Sequence, residues 1–111
     1  MPLADFSLEG KVALVTGGSR GIGEAIARGF VEQGATVIIA SRKQADLDVA
    51  AQSISEDTGG TCVGWACHTG TPEHIQALFA KIKAEYGRLD ILVNNAAANP
   101  YFGPSIDIEL P

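Results

Sequence analysis

Glycine residues near the amino terminus form the first pattern that could do chemistry. The segment from Thr16 to Gly23 reads TGGSRGIG and lies between a predicted strand and a predicted helix. Glycine has no Cβ atom, so this loop can turn tightly and bring its backbone close to a pyrophosphate. Free N–H groups at the start of the following helix would then face the phosphates. The spacing favours a dinucleotide-binding loop; the alternative is a plain strand-to-helix turn that is rich in glycine.

The end of the second predicted strand indicates which dinucleotide would bind. Residues 40–43 read ASRK, without the acidic residue that holds the ribose 2′-hydroxyl in folds that prefer NAD. Arg42 could form a forked contact with a 2′-phosphate, Ser41 could donate another hydrogen bond, and Arg20 could add charge from the glycine loop. The pattern predicts NADP(H) rather than NAD(H). The alternative is that Arg42 and Lys43 are the solvated start of a helix.

These residues must be positioned by alternating strands and helices. Apolar, β-branched runs predict strands at 11–16, 36–40, 61–66 and 89–93. Helices are predicted from the glycine loop to Gln33, at 43–57, and from the start signal Thr71-Pro72 onwards. With right-handed crossovers, the β-α-β-α-β-α-β order predicts an α/β fold, a Rossmann-type doubly wound parallel sheet with strand order 3-2-1-4.

Each predicted helix has an apolar face that should pack on the sheet. The small residues Ala25 and Gly29 lie beside the face of the first helix and should allow close approach. The predicted inward residues are Ile22, Ile26 and Phe30 in the first helix, Leu47, Ala51 and Ile54 in the second, and Ile75, Leu78, Phe79 and Ile82 in the third.

Composition restricts the classes of function. The 111 residues suffice for one domain, and a net charge of −5 with a pI near 4.8 argues against nucleic-acid or anionic-membrane partners. No apolar run approaches the ~20 residues that span a bilayer, and no secretory signal is evident, so the expected location is cytoplasmic. Cys62 and Cys67 do not form a CxxC motif and are predicted to be buried, reduced thiols, with no metal site.

Two motifs together resemble one family. Residues 16–23 resemble the TGxxxGxG loop of short-chain dehydrogenases/reductases, and residues 94–97, NNAA, resemble the NNAG motif that follows their fourth strand. Residues 41–43, 67–68 and 95–103 are similar to the NADP(H)-dependent carbonyl/retinol reductase branch, the member-4 type. The resemblance extends from about Leu8 to Pro111.

The resemblance implies cofactor-binding roles for individual positions. Gly17, Gly21 and Gly23 would shape the loop, and the N–H of Ile22 would meet the pyrophosphate. Ser41 and Arg42 would hold the 2′-phosphate, His68 and Thr69 would flank the adenine, and Asn95 and Ala96 would lie along the adenosine ribose and the inner cofactor face. His68 stands where the family often has Asp, and Ala97 replaces the usual Gly of the second motif. The implied cofactor-binding residues are Gly17, Ser19, Arg20, Gly21, Ile22, Gly23, Ser41, Arg42, His68, Thr69, Asn95 and Ala96.

The family's catalytic Tyr-x-x-x-Lys pattern does not occur in the sequence. Tyr86 is followed by Asp90 at that spacing, and Tyr101 by Ser105, so no catalytic residue is predicted. Residues 1–111 are therefore expected to be a single NADP(H)-binding half-domain whose catalytic part is absent. The whole enzyme would interconvert small-molecule carbonyls and alcohols by hydride transfer; the alternatives are a non-catalytic nucleotide-binding module and an inactive remnant.

The fourth predicted strand carries one further expectation. Ile91, Leu92 and Val93 would form an apolar strand at the edge of the half-sheet. An uncovered apolar edge can pair with another chain, so self-association is expected.

Overall fold

The fold consists of alternating strands and helices in the predicted order. The structure, a computed structural model, describes residues 7–17, 21–68 and 71–95. The elements are β1 (Val12–Thr16), α1 (Gly21–Glu32), β2 (Thr36–Ser41), α2 (Gln44–Thr58), β3 (Thr61–Ala66), α3 (Pro72–Tyr86) and β4 (Ile91–Asn94).

The sheet is parallel, and its strand order is β3-β2-β1-β4, which confirms the predicted arrangement. Thr16, the last residue of β1, is in register with Ala40 of β2 on one side and with Asn94 of β4 on the other. The carboxyl ends of these strands therefore meet at one edge of the sheet, where parallel folds bind their ligands.

Apolar side chains from the sheet alternate between its two faces. Ala13 and Val15 belong to a cluster with α1 and α2, whereas Val12 and Leu14 belong to a second cluster with α3. Helices thus cover both faces, as a doubly wound fold requires. Among the described residues, no helix is long and apolar enough to cross a membrane.

The two cysteines lie in different clusters and are free thiols. Cys62 packs with α1 and α2, and Cys67 packs on the α3 side. Burial raises the pKa of the Cys62 thiol to about 12, and burial also raises the pKa of Cys67. Both thiols therefore stay protonated at neutral pH and act as small apolar core groups.

The predicted inward face of α1 was wrong by one residue. Ile22 is 72% exposed, and the buried residues of α1 are Gly23, Ala27 and Val31. Ile26 and Phe30 are only partly buried beside that cluster. The reason is that α1 approaches the sheet through the small residues Gly23 and Ala27, with Val31 one turn further on, and bulkier residues at the first two positions would hold the helix away. Gly29 is not part of this approach, because an added Cβ there would meet nothing within 4 Å.

Strand β4 begins at Ile91 rather than at the predicted Leu89. The backbone N–H of Asp90 donates to the Val12 carbonyl at 2.8 Å, and Asp90 Oδ2 accepts from the Val12 N–H at 2.8 Å. Arg88 also donates to Asp90 Oδ1 at 2.7 Å. The Arg88 hydrogen bond, followed by that from the Val12 N–H, lowers the pKa of Asp90. Asp90 thereby fixes the start of β4 against the start of β1.

Candidate functional site

The predicted site residues that the structure describes lie at the carboxyl ends of the strands. Gly17 follows β1, Ser41 ends β2, His68 comes shortly after β3, and Asn95 follows β4. Strands β1 and β4 are neighbours although β2 and β3 lie between them in the sequence. This is the topological switch point, where open parallel sheets form a ligand crevice.

Two described glycines of the predicted loop have positive φ angles. Gly17 and Gly21 have φ angles of 73° and 63°, in the left-handed region that glycine adopts without steric cost. The N–H of Gly17 donates to the carbonyl of Ala40 at 2.7 Å. This hydrogen bond holds the start of the loop against the end of β2.

Gly23 of α1 packs tightly against two other parts of the site. A Cβ atom added there would overlap the Gly17 carbonyl oxygen and would lie 2.7 Å from Asn95 Nδ2. Only glycine therefore fits without a shift of the helix or of its neighbours. The contact brings together three predicted residues, Gly17, Gly23 and Asn95.

Thr16 connects the two motifs, although no binding role is predicted for its side chain. The buried Thr16 hydroxyl accepts a hydrogen bond from the Asn95 N–H at 3.0 Å. Its oxygen also lies 3.0 Å from Asn94 Oδ1, to which it donates, and 3.3 Å from the Val93 carbonyl. The Thr16 side chain therefore helps to hold Asn95 against the start of the glycine loop, together with the β1–β4 pairing and the Gly23 contact. The predicted strand order could have suggested this link, since it places β1 beside β4.

Ser41 and Arg42, the residues predicted to hold a 2′-phosphate, lie at the end of β2. Ser41 is half-buried, and its carbonyl accepts from the Cys67 N–H at 2.7 Å. Arg42 is exposed and forms no ion pair with any described residue. Its guanidinium group therefore extends into solvent beside the first turn of α2.

His68 is exposed after β3 and has local contacts. Its ring meets that of His74 edge-on, with centroids 5.9 Å apart, and its Nδ1 lies 3.5 Å from Thr71 Oγ1. The remaining predicted residues, Ser19, Arg20, Thr69 and Ala96, lie outside the described residues. The described contacts join the glycine loop to Asn95, and they join Ser41 to the segment before His68.

The geometry is therefore that of a parallel sheet with a glycine loop at its switch point. A family model described as short chain dehydrogenase matches residues 11–109. The chain belongs to the short chain dehydrogenase family. This confirms the family that the two motifs predicted.

Relatives of this short chain dehydrogenase include human dehydrogenase/reductase SDR family member 4. It is 44% identical over 101 residues, which are 91% of this chain and 36% of the relative. The member-4 branch suggested by the sequence thus appears among the similar proteins. The chain spans little more than a third of such relatives.

Solved structures of the short chain dehydrogenase family share the described fold. L-sorbose reductase from Gluconobacter frateurii, in complex with NADPH and L-sorbose, superposes with a TM-score of 0.81 at 39% identity, covering 88% of this chain and 37% of the reductase. RhlG from Pseudomonas aeruginosa, in an NADP complex, gives a TM-score of 0.78 at 41% identity, covering 86% of this chain and 38% of that protein.

Proposed function

We propose that this chain binds NADP(H) at the carboxyl edge of its sheet. The observation that carries the proposal is the joining of the glycine loop to Asn95 by the Thr16 hydroxyl, beside the Gly23 contact. These contacts hold the two motifs in fixed relation at the switch point. The proposed cofactor-binding residues are Gly17, Ser19, Arg20, Gly21, Ile22, Gly23, Ser41, Arg42, His68, Thr69, Asn95 and Ala96.

The preference for NADP(H) over NAD(H) rests on the end of β2. Arg42 is exposed and is not neutralised by any described carboxylate, so it is available to a 2′-phosphate. An acidic residue at that point would favour a free ribose hydroxyl instead. L-sorbose reductase in complex with NADPH and RhlG in complex with NADP support the choice of NADP(H) as the cofactor.

The reaction proposed for the whole protein is the interconversion of a small carbonyl compound and its alcohol. NADP(H) would supply or accept the hydride. This chain's own contribution is to bind the adenosine and pyrophosphate groups. The family's Tyr-x-x-x-Lys pattern is absent from these 111 residues, so no proton-transfer residue is assigned here.

A second candidate function is nucleotide binding without catalysis. Its support is the set of contacts among Gly17, Gly23 and Asn95, which would serve nucleotide binding with or without a reaction. Such a module would bind NADPH and would show no nucleotide oxidation with any member of a panel of ketones and aldehydes. Carbonyl-dependent loss of NADPH absorbance would exclude it.

Arg42→Ala tests the proposed binding mode, with Lys43→Ala as the matched control. Both residues are exposed and adjacent, so both variants remove one positive charge from the same segment. Loss of a charge-assisted contact should weaken NADPH binding about 10- to 100-fold and NADH binding less than about threefold. Lys43→Ala should change the ratio of the two dissociation constants by less than about threefold. An unchanged ratio in Arg42→Ala would contradict the proposed role of Arg42.

A further inference from the structure

Gln44, the first residue of α2, pairs with the outer edge of β3. Its Nε2 donates to the Gly64 carbonyl at 2.8 Å, and its Oε1 accepts from the Ala66 N–H at 3.0 Å. The amide thus meets the backbone of β3 as a neighbouring peptide group would. In the described sheet β3 is an edge strand, and these two backbone groups face away from β2.

The orientation of this amide is fixed by a third hydrogen bond. Gln44 Nε2 also donates to Asp48 Oδ1 at 2.8 Å, one helical turn further along α2. Both hydrogens of the amide nitrogen are therefore used, and so is its oxygen. The side chain cannot rotate away from β3 without losing these partners together.

The same two segments are also joined through their backbones. The Cys67 N–H donates to the Ser41 carbonyl at 2.7 Å. A Cβ added to Gly64 would lie 2.6 Å from the Cβ of Leu47, so α2 rests directly on the backbone of β3. The start of α2 and the end of β3 are therefore held together on both sides of Arg42.

These contacts determine the geometry at one end of the candidate site. Arg42 lies two residues before Gln44, and His68 lies two residues after Ala66. The N-cap residue of α2, Lys43, makes no side-chain capping hydrogen bond. Among the described residues of the first turn of α2, Gln44 supplies the side-chain hydrogen bonds to β3, beside the packing of Leu47 on Gly64.

We propose that Gln44 is a positioning residue for the 2′-phosphoadenosine end of the cofactor. It sets the separation between the phosphate-binding segment at Arg42 and the adenine-flanking segment at His68. This inference rests on the proposed NADP(H) binding. Gln44 need not touch the nucleotide; it acts by keeping the two segments in register, so its loss should affect NADPH more than NADH.

Gln44→Met tests the proposal, because methionine keeps the length and helix propensity of glutamine but cannot pair with a backbone. Gln52→Met is the matched control. Gln52 lies on the same helix and donates to Glu56 at 2.9 Å, also one turn away, but it makes no hydrogen bond to β3. Dissociation constants of NADPH and NADH are measured for the purified wild-type protein and for both variants, together with their melting temperatures.

We expect Gln44→Met to weaken NADPH binding about five- to tenfold and NADH binding less than about twofold. Gln52→Met should change the dissociation constant of each nucleotide by less than about twofold. An unchanged NADPH-to-NADH ratio in folded Gln44→Met would overturn the role of Gln44 and leave the proposed function intact. A wild-type protein without preference for NADPH would overturn both proposals. If Gln44→Met does not fold, Gln44→Asn, whose amide is one methylene too short to reach both backbone groups, must show the same selective loss.

Discussion

The hydroxyl group of Thr16 accepts a hydrogen bond from the backbone N–H of Asn95 at 3.0 Å. These two residues are far apart in the sequence and lie at the ends of adjacent parallel strands. The contact fixes the start of the glycine loop against the segment after β4. A site formed by two separate segments needs such a link, because small displacements between them would misalign the groups that bind the ligand.

Replacing the Thr16 hydroxyl should weaken both the fold and nucleotide binding. Thr16→Val leaves the Asn95 N–H without this acceptor in a partly buried position, and it should lower the free energy of unfolding by about 1–3 kcal/mol. Thr16→Ser keeps the hydroxyl and should cost less than half as much. Urea denaturation of the two variants measures the difference, and a Thr16→Val variant as stable as the wild-type protein would contradict the role of the hydroxyl.

Gly23→Ala should disturb the site because the added methyl overlaps the Gly17 carbonyl oxygen. Moving α1 to relieve that overlap should lower the free energy of unfolding by about 1–3 kcal/mol and should weaken NADPH binding. Gly29→Ala is the control on the same helix, where an added Cβ meets nothing within 4 Å. The free energy of unfolding of Gly29→Ala should rise by roughly 0.5–1 kcal/mol, because alanine has the higher helix propensity. Similar stabilities for the two variants would contradict the close packing at Gly23.

Asp90 should give the stability of the protein a pH dependence on the acidic side. Its pKa is lowered in the folded state by Arg88 and by the Val12 N–H. A carboxylate with a depressed folded pKa stabilises the fold above its unfolded pKa, about 3.9 for Asp, and that stabilisation is lost as the pH falls through the lower folded value. The stability difference between wild type and Asp90→Asn should therefore be present at pH 7 and shrink below about pH 4. Thermal unfolding of both proteins across this pH range measures the stability difference, and a difference that does not change with pH would refute the prediction.

Self-association through β4 remains a prediction from the sequence. Leu92 is 47% exposed on β4, which lies at the edge of the described sheet. Expressed as these 111 residues, the chain should show a mass that rises with concentration in light scattering. Leu92→Lys should reduce this increase in mass, because charged residues on an edge strand oppose pairing. Val49→Lys changes an apolar α2 position that is 71% exposed and should leave the increase in mass unchanged. A wild-type monomer at every concentration would count against the prediction.

The order of elements and strands could be predicted because it depends on local patterns. Buried β-branched runs, the Thr71-Pro72 start and the glycines at helix ends each act within a few residues. The buried face of α1 could not be predicted in this way. Its apolar periodicity favoured Ile22, whereas the tertiary contact selects the small face at Gly23 and Ala27.

The links that fix the candidate site are long-range, so spacing alone does not indicate them. Thr16 with Asn95, Asp90 with Val12, and Gln44 with the edge of β3 each join residues from different elements. Each polar group meets a particular backbone group only after the strands have assumed their register. The motifs indicated which segments could bind a nucleotide, and the register determines which side chains hold those segments together.

The most direct test of the account is a fluorescence titration of the purified protein with NADPH and, in parallel, with NADH. The account predicts saturable NADPH binding at least about tenfold tighter than NADH binding, because a charge-assisted contact to the 2′-phosphate contributes 1.5 kcal/mol or more, about a factor of ten. Equal affinity for the two nucleotides would contradict the role assigned to the end of β2. No binding of either nucleotide by folded protein would contradict the proposed site itself.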